Sequence, residues 1–177
     1  MVNLAGITTN IDTVKDKISK IKLLFTDVDG VLTDTGVYYS DRGEEMKRYS
    51  IRDGMGVERI RDVGGIDVGI ITGESSPSLV KRCEKLKITR LYLGVKDKKT
   101  LLANILAEEK LTFENVAYIG DDYNDIDIIK SCGLTACPSD GMPLIKNLVD
   151  YITQNKGGNG AFRDFVELIL TFKVYKD

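Results

Sequence analysis

Short apolar segments alternate with amphipathic segments along most of this chain, and this alternation restricts the folds open to it. The apolar segments are bounded by Gly and Asp, which is typical of strands buried on both faces. Their spacing predicts a doubly wound, Rossmann-like parallel α/β sheet with right-handed crossovers. The predicted strands are residues 21–26, 68–71, 90–93, 116–119 and 134–136, and the predicted helices are residues 12–20, 56–63, 76–87, 98–109, 126–131, 142–147 and 161–172.

The remaining segments complete one expected domain over residues 1–177, because neither a repeat nor a low-complexity linker divides the chain. Residues 36–39 and 46–50 alternate weakly around a turn-forming cluster and predict a projecting β-hairpin. Residues 1–20 form an N-terminal extension. Residues 156–160 are a glycine-rich stretch that we expect to be flexible, and with the helix after them they form a C-terminal tail over 156–177.

Composition excludes several classes of protein. The net charge of −2 and the lack of a dense basic block argue against a nucleic-acid partner. No apolar stretch approaches the ~20 residues that span a bilayer, and the first ten residues do not form a signal peptide. Cys83, Cys132 and Cys137 are odd in number and lack zinc-site spacing, which predicts free thiols in a reducing, cytoplasmic protein.

Histidine is absent from the whole chain. This absence excludes Ser-His and Cys-His nucleophile pairs and every His-based zinc site. Any chemistry must therefore use carboxylates, lysine, hydroxyl groups and a metal ion.

Aspartates follow two of the predicted strands directly. Asp27 and Asp29 come just after the segment 21–26, and Asp121 and Asp125 come after the segment 116–119. Parallel strands place their carboxyl ends at one edge of the sheet, where open α/β sheets bind ligands. Carboxylates gathered there repel each other unless a cation lies among them, and an all-oxygen site suits Mg²⁺. The sequence therefore predicts a magnesium site.

Two further residues suit a bound anion. Thr72 ends the segment 68–71, and with Gly73 it offers a hydroxyl and backbone N–H groups. Lys98 opens a predicted helix and supplies a cation. A carboxylate nucleophile, a metal, a hydroxyl and a lysine are what phosphoryl transfer through an aspartyl-phosphate requires. Lysine and magnesium also favour the ionised Asp27 that must attack.

Residues 27–34, Thr72, Lys98 and residues 120–125 together resemble the four motifs of the haloacid dehalogenase superfamily of phosphatases. The resemblance extends from about residue 21 to 170. It implies that Asp27 is the nucleophile and Asp29 the general acid/base, with the Asp29 carbonyl also on magnesium. It further implies that Thr72 and Lys98 hold the phosphoryl group, that Asp121 binds the metal, and that Asp125 supports it.

Motif spacing leaves no room for the cap domain that usually covers such sites. Asp29 and Thr72 are separated by 42 residues, which the hairpin, one helix and one strand occupy. Thr72 and Lys98 are separated by 25 residues, which one helix and one strand occupy. An uncapped site needs a large substrate or a neighbouring subunit to exclude water.

The capless pattern, the hairpin and residues 157–163 resemble one family more closely. That family dephosphorylates 3-deoxy-2-keto sugar acids, chiefly 3-deoxy-D-manno-octulosonate 8-phosphate and its nine-carbon relatives. The resemblance implies a homotetramer in which the hairpins pack together and a neighbour closes each site. It makes Arg163 a candidate substrate contact, although a surface salt bridge also explains that residue.

Glu74 bears on the choice of substrate, because the eight-carbon family commonly has Thr-Gly-Arg where this chain has Thr72-Gly73-Glu74. Glu74 at this position, with Arg82 and Lys85 further along the chain, is similar to the pattern in the phosphatase that acts on 2-keto-3-deoxy-nonulosonic acid 9-phosphate. Glu74 could accept hydrogen bonds from sugar hydroxyls while a cation pairs with the substrate carboxylate. The alternative is that Glu74 caps a helix and Lys85 is solvated.

Two other classes of protein stay open at this stage. One is a catalytically silent domain used for oligomerisation, like the phosphatase-like appendage of some sialic-acid-activating synthetases. The other is a response-regulator receiver, which shares the sheet and an aspartyl-phosphate. A receiver domain would not need a second aspartate at Asp29. The presence of Asp27, Thr72 and Lys98 argues against a catalytically silent domain.

Overall fold

The computed structural model describes residues 4–175 and contains the predicted parallel sheet. Six parallel strands lie in the order β5-β4-β1-β6-β7-β8, so the strand order reverses at β1. That reversal is the switch point at which doubly wound sheets bind ligands. The strands are β1 (Leu23–Thr26), β4 (Asp67–Ile71), β5 (Arg90–Tyr92), β6 (Val116–Ile119), β7 (Leu134–Cys137) and β8 (Tyr151–Ile152), and the separate antiparallel hairpin consists of β2 (Val37–Ser40) and β3 (Gly43–Lys47).

Seven α-helices cover the two faces of the sheet among the described residues. The helices are α1 (Ile11–Lys20), α2 (Ile51–Asp62), α3 (Pro77–Leu86), α4 (Lys98–Glu109), α5 (Ile126–Ile129), α6 (Pro143–Lys146) and α7 (Ala161–Lys173). Apolar residues of α1, α2, α3 and α7 share one core with the sheet, and those of α4, α5 and α6 share the other. β1 and β6 are buried along their whole length, which explains their continuous apolar sequences.

The structure corrects several predicted boundaries. Helix α2 begins at Ile51 rather than 56, because the Ser50 side chain caps it by accepting from the N–H groups of Arg52 and Asp53. The hairpin strands lie at Val37–Ser40 and Gly43–Lys47 instead of 36–39 and 46–50. Strand β8 was missed, since two residues are too few to show a period.

The glycine-rich stretch is not the flexible segment expected from its composition. Gly157, Gly158 and Gly160 are buried against their own chain. The Gly158 N–H donates to the Val31 carbonyl at 2.9 Å, and the Gly160 N–H donates to the Asp53 carboxylate at 3.1 Å. The expected extension and tail reach residues 1–3 and 176–177, which lie outside the described residues. Between residues 4 and 175, no helix is long and apolar enough to cross a membrane.

Candidate active site

A cavity of about 520 Å³ opens at the carboxyl ends of β1, β4 and β6. Its position follows from the strand order, because these three strands are neighbours at the switch point. Ten residues from the three segments that follow these strands line it: Asp27, Asp29, Thr35, Thr72, Gly73, Glu74, Asp121, Asp122, Tyr123 and Asn124.

A buried ion-pair cluster forms the floor beside this cavity. Lys98 Nζ lies 2.9 Å from Asp27 Oδ2 and 2.7 Å from Asp125 Oδ1, and all three side chains are almost fully buried. The Tyr118 hydroxyl donates to the same Asp125 oxygen at 2.7 Å. One lysine is thus shared by the two carboxylates, which fixes the direction of Asp27.

Backbone contacts fix the same aspartates. The Asp27 N–H donates to the Ile119 carbonyl at 3.0 Å, which ties the end of β1 to β6. Asp27 Oδ1 accepts from the Val28 N–H at 2.8 Å, and Asp125 Oδ2 accepts from the Asp121 N–H at 3.1 Å. The oxygens of Asp125 therefore have protein partners, which suits a supporting role.

Electrostatics in the cluster are dominated by burial and by like charge. Burial, then repulsion from Asp125, raises the pKa of Asp27 to about 7 against the opposing attraction of Lys98. Burial and repulsion from Asp27 and Asp125 raise the pKa of Asp121 to about 8. Burial alone would lower the pKa of Lys98, but attraction to Asp27 and Asp125 outweighs it, so that pKa rises. The site therefore has more negative charge than Lys98 neutralises.

The same carboxylates fit a divalent cation. Asp27, Asp121 and Asp125 each offer an oxygen within 4.8 Å of the others. The Oδ1 atom of Asp121 is buried and, among the described residues, has no hydrogen-bond partner. A buried oxygen without a donor is costly unless a cation binds it. Glycine at position 30 allows the Asp121 carboxylate to lie close to the loop after β1, because a Cβ on Gly30 would lie 1.9 Å from Asp121 Oδ2. An all-oxygen donor set of this kind suits Mg²⁺.

Asp29 lies in the cavity wall and contacts the hairpin. Lys47 Nζ donates to both Asp29 oxygens, at 2.9 Å and 2.7 Å, and the Thr33 hydroxyl donates to Oδ1 at 3.2 Å. Lys47 was not predicted, because weak alternation in a hairpin does not show which residue faces the site. Tyr118 was also missed, since an aromatic residue in a buried strand is normally interpreted as part of the hydrophobic core.

Thr72, Gly73 and Glu74 enter the cavity from the end of β4, as their positions in the sequence predicted. The Thr72 side chain is buried, and its hydroxyl accepts from the Glu74 N–H at 3.2 Å. Glu74 is exposed and lines the cavity rather than capping the next helix, whose N-cap is Ser76.

Three predicted substrate contacts lie elsewhere in this chain. Arg82 donates to the Ser50 carbonyl at 2.8 Å and lies over the Tyr49 ring, because its face of α3 packs on the start of α2. Lys85 is exposed on the same helix. Arg163 pairs with Glu167 at 2.6 Å on α7. None of the three lines the cavity that Asp27 lines.

Comparisons with known proteins agree with this geometry. Residues 87–163 match the haloacid dehalogenase-like hydrolase model. The 3-deoxy-D-manno-octulosonate 8-phosphate phosphatase of Haemophilus influenzae is 37% identical over 89% of this chain and 87% of that protein.

Solved structures give the same result. The phosphatase of that name from Yersinia pestis has a TM-score of 0.86 at 40% identity, covering 92% of this chain and 87% of that one. The Moraxella catarrhalis phosphatase, solved with magnesium, phosphate and 3-deoxy-D-manno-octulosonate, has a TM-score of 0.88 at 34% identity, covering 93% and 94%. This chain therefore belongs to the 3-deoxy-D-manno-octulosonate 8-phosphate phosphatase family of the haloacid dehalogenase-like hydrolases.

Proposed function

We propose that this protein is a magnesium-dependent phosphatase that hydrolyses 3-deoxy-D-manno-octulosonate 8-phosphate. The observation that carries the proposal is the buried Lys98 between Asp27 and Asp125 at the edge of an open cavity. Relatives that cover most of the chain act, by their names, on this sugar-acid phosphate.

The arrangement suits two-step phosphoryl transfer. Asp27 attacks phosphorus and forms an aspartyl-phosphate, and Asp29 gives a proton to the departing sugar oxygen. Asp29 then takes a proton from the water that releases inorganic phosphate. Lys98 and Thr72 hold the phosphoryl oxygens. Mg²⁺, when bound by Asp27, Asp121 and the Asp29 carbonyl with Asp125 in support, supplies the positive charge that offsets the phosphoryl group.

Phosphate release from the purified protein tests this proposal. We expect turnover of 3-deoxy-D-manno-octulosonate 8-phosphate with Mg²⁺, and its loss on chelation and in Asp27→Asn. Asp16→Asn, on the exposed face of α1, is the matched control and should keep full activity. A wild-type protein that released no phosphate from any sugar-acid phosphate would instead indicate the silent oligomerisation domain.

Glu74 is the proposed determinant of sugar length, because it lines the cavity beside Thr72. The sequence prediction favoured the nine-carbon acid on this residue, whereas the names of the relatives favour the eight-carbon acid. The ratio of kcat/KM for the two phosphorylated acids decides between them. If Glu74→Arg leaves that ratio unchanged, Glu74 does not set specificity.

We also propose that the single domain assembles as a homotetramer through the hairpin. Tyr38 and Tyr39 on β2 are 58% and 72% exposed, and Met46 on β3 is 56% exposed, which is a large apolar surface for a hairpin. Light scattering tests the assembly. Tyr39→Glu should dissociate it, and Glu45→Gln on the same hairpin should not. A monomeric wild-type protein would contradict the proposal.

A cytoplasmic location is proposed from the cysteines. Cys83, Cys132 and Cys137 are all free thiols, which suits a reducing compartment. Cell fractionation in the source organism should place the protein with cytoplasmic markers, and recovery in another fraction would contradict this location.

A further inference from the structure

Lys47 is a buried cation at the end of hairpin strand β3. Its side chain is only 2% exposed, while Met46 beside it points to solvent. A buried ammonium group is costly unless carboxylates pair with it. The partners of Lys47 therefore show which groups its burial holds in place.

The main partner is Asp29, the proposed general acid/base. Lys47 Nζ bonds both carboxylate oxygens of Asp29, so the carboxylate cannot rotate freely. Glu44 Oε2, three residues earlier on the same strand, lies 3.7 Å from Lys47 Nζ. Glu44 in turn accepts a hydrogen bond from Ser76, the buried N-cap residue of α3.

These contacts form one continuous chain of polar groups. It runs from Asp29 in the loop after β1, through Lys47 and Glu44 on the hairpin, to Ser76 just beyond the Thr72 loop. The hairpin thus connects the two loops that hold the acid/base and the phosphoryl group.

We infer that Lys47 is a positioning residue for Asp29, so that the hairpin sets the direction of proton transfer. The inference rests on the proposed function. In the first step Asp29 acts as the neutral carboxyl group, with one oxygen on Lys47 Nζ and a proton on the other. The Asp27 oxygen bonds to phosphorus, the bond from phosphorus to the sugar oxygen breaks, and the Asp29 proton passes to that sugar oxygen. In the second step a water oxygen bonds to phosphorus, the Asp27–phosphorus bond breaks, and Asp29 receives the water proton.

Substrates with different leaving groups distinguish a role of Lys47 in positioning Asp29 from a purely structural role. A sugar alkoxide needs the Asp29 proton to leave, whereas p-nitrophenolate leaves without one. kcat/KM reports the steps up to the first irreversible departure. A misdirected Asp29 should therefore slow the sugar phosphate far more than p-nitrophenyl phosphate.

The test compares Lys47→Met with the wild type on 3-deoxy-D-manno-octulosonate 8-phosphate and on p-nitrophenyl phosphate. General acid–base catalysis is worth about 10²–10⁴-fold, so we expect kcat/KM for the sugar phosphate to fall about 100-fold. The value for p-nitrophenyl phosphate should change by less than about 5-fold, since only orientation of the acid is lost. Lys47→Arg, which keeps the cation, should restore most of the sugar-phosphate activity.

Arg48→Met is the matched control. Arg48 follows Lys47 directly and anchors the hairpin base by pairing with Asp34 at 2.7 Å, away from Asp29. Its loss should lower both activities equally or leave both unchanged. If Lys47→Met does not fold, Lys47→Gln carries the comparison, because its neutral amide also leaves Asp29 without a cation.

Each outcome bears on the inference. Equal losses on both substrates in the Lys47 variant, or a gain on the sugar phosphate, would overturn it while leaving the proposed function intact. A wild-type protein inactive on both substrates would overturn the proposed function and this inference together.

Discussion

Lys98 lies where its single ammonium group pairs with two carboxylates, those of Asp27 and Asp125. It is the first residue of α4, follows the helix N-cap Asp97, and extends its Nζ between Asp27 and Asp125. Its neighbour Lys99 is exposed. Two adjacent lysines in one helix turn therefore have opposite environments, which makes them a natural pair of variants.

Lys98→Met should remove both stability and activity. Breaking a buried ion pair leaves an uncompensated charge, which typically costs about 3–5 kcal/mol. We expect a loss of that size in the free energy of unfolding by urea, and at least a 100-fold loss in kcat, about the amount that removing one preorganised charge partner costs. Lys99→Met should change neither quantity measurably. Similar behaviour of the two variants would contradict the assigned environments.

At this scale the sequence identifies residues next to buried strands. Asp27 and Asp121 were predictable because they lie one and two residues after an apolar run, and closeness in sequence fixes their place at the sheet edge. Lys47 was not, because it reaches Asp29 across 18 positions of sequence through a hairpin whose packing carries no periodic signal. The contact of Arg82 with the Ser50 carbonyl was not predictable either, because helical spacing does not show which neighbour a helix face meets.

The glycine segment shows how an element can be ordered without regular structure. A Cβ on Gly157 would lie 1.8 Å from the Gly30 carbonyl oxygen, so only glycine allows this segment to pack beside the Asp29 loop. The segment ends at Gly160, where the Asp53 carboxylate of α2 accepts from the N–H groups of Gly160, the N-cap of α7, and of Arg163 in its first turn. The glycine content predicted a flexible segment here. Composition does not show that the backbone of another loop packs into the space that side chains would otherwise occupy.

Gly157→Ala should therefore destabilise the protein by about 3 kcal/mol, the upper range for overpacking. Gly65→Ala is the control, because Gly65 has a φ of +62° but open space around it. That variant should lose only about 1 kcal/mol from left-handed backbone strain. Chemical denaturation measures both. Equal losses would mean that the contact with Gly30 does not restrict the segment.

Elements of the sheet were predictable to the extent that they were long and buried. The helices α1, α3 and α7 lie close to their predicted ranges because each has a clear apolar face. The start of α2 was missed because Gly54 and Gly56 lie in it, and glycine usually argues against a helix. Those glycines let α2 approach its neighbours closely, with Gly56 packed against Phe162.

The stability of the folded protein depends on pH through two carboxyl groups of its active site. Asp27 and Asp121 have pKa values raised from 3.8 to about 7 and about 8 in the folded chain. The folded state therefore binds protons that the unfolded chain releases above pH 3.8, and stability falls as pH rises through this window. Mg²⁺ binds the ionised carboxylates and opposes that loss.

Thermal unfolding with and without Mg²⁺ tests this linkage. We expect the metal-free Tm to be lower at pH 8 than at pH 6, and the increase in Tm on adding Mg²⁺ to be larger at pH 8. Asp121→Asn should reduce both effects, whereas Asp127→Asn, at an exposed position on α5, should reduce neither. A Mg²⁺ effect that is equal at both pH values would contradict the linkage.

In the proposed reaction the phosphoryl group passes through Asp27. Rapid acid quenching during turnover of the sugar-acid phosphate, followed by peptide mass spectrometry, measures this directly. We expect one phosphoryl group on the peptide that contains Asp27, and none in Asp27→Asn. Turnover with no phosphoryl group on Asp27, or with the group on another residue, would contradict it.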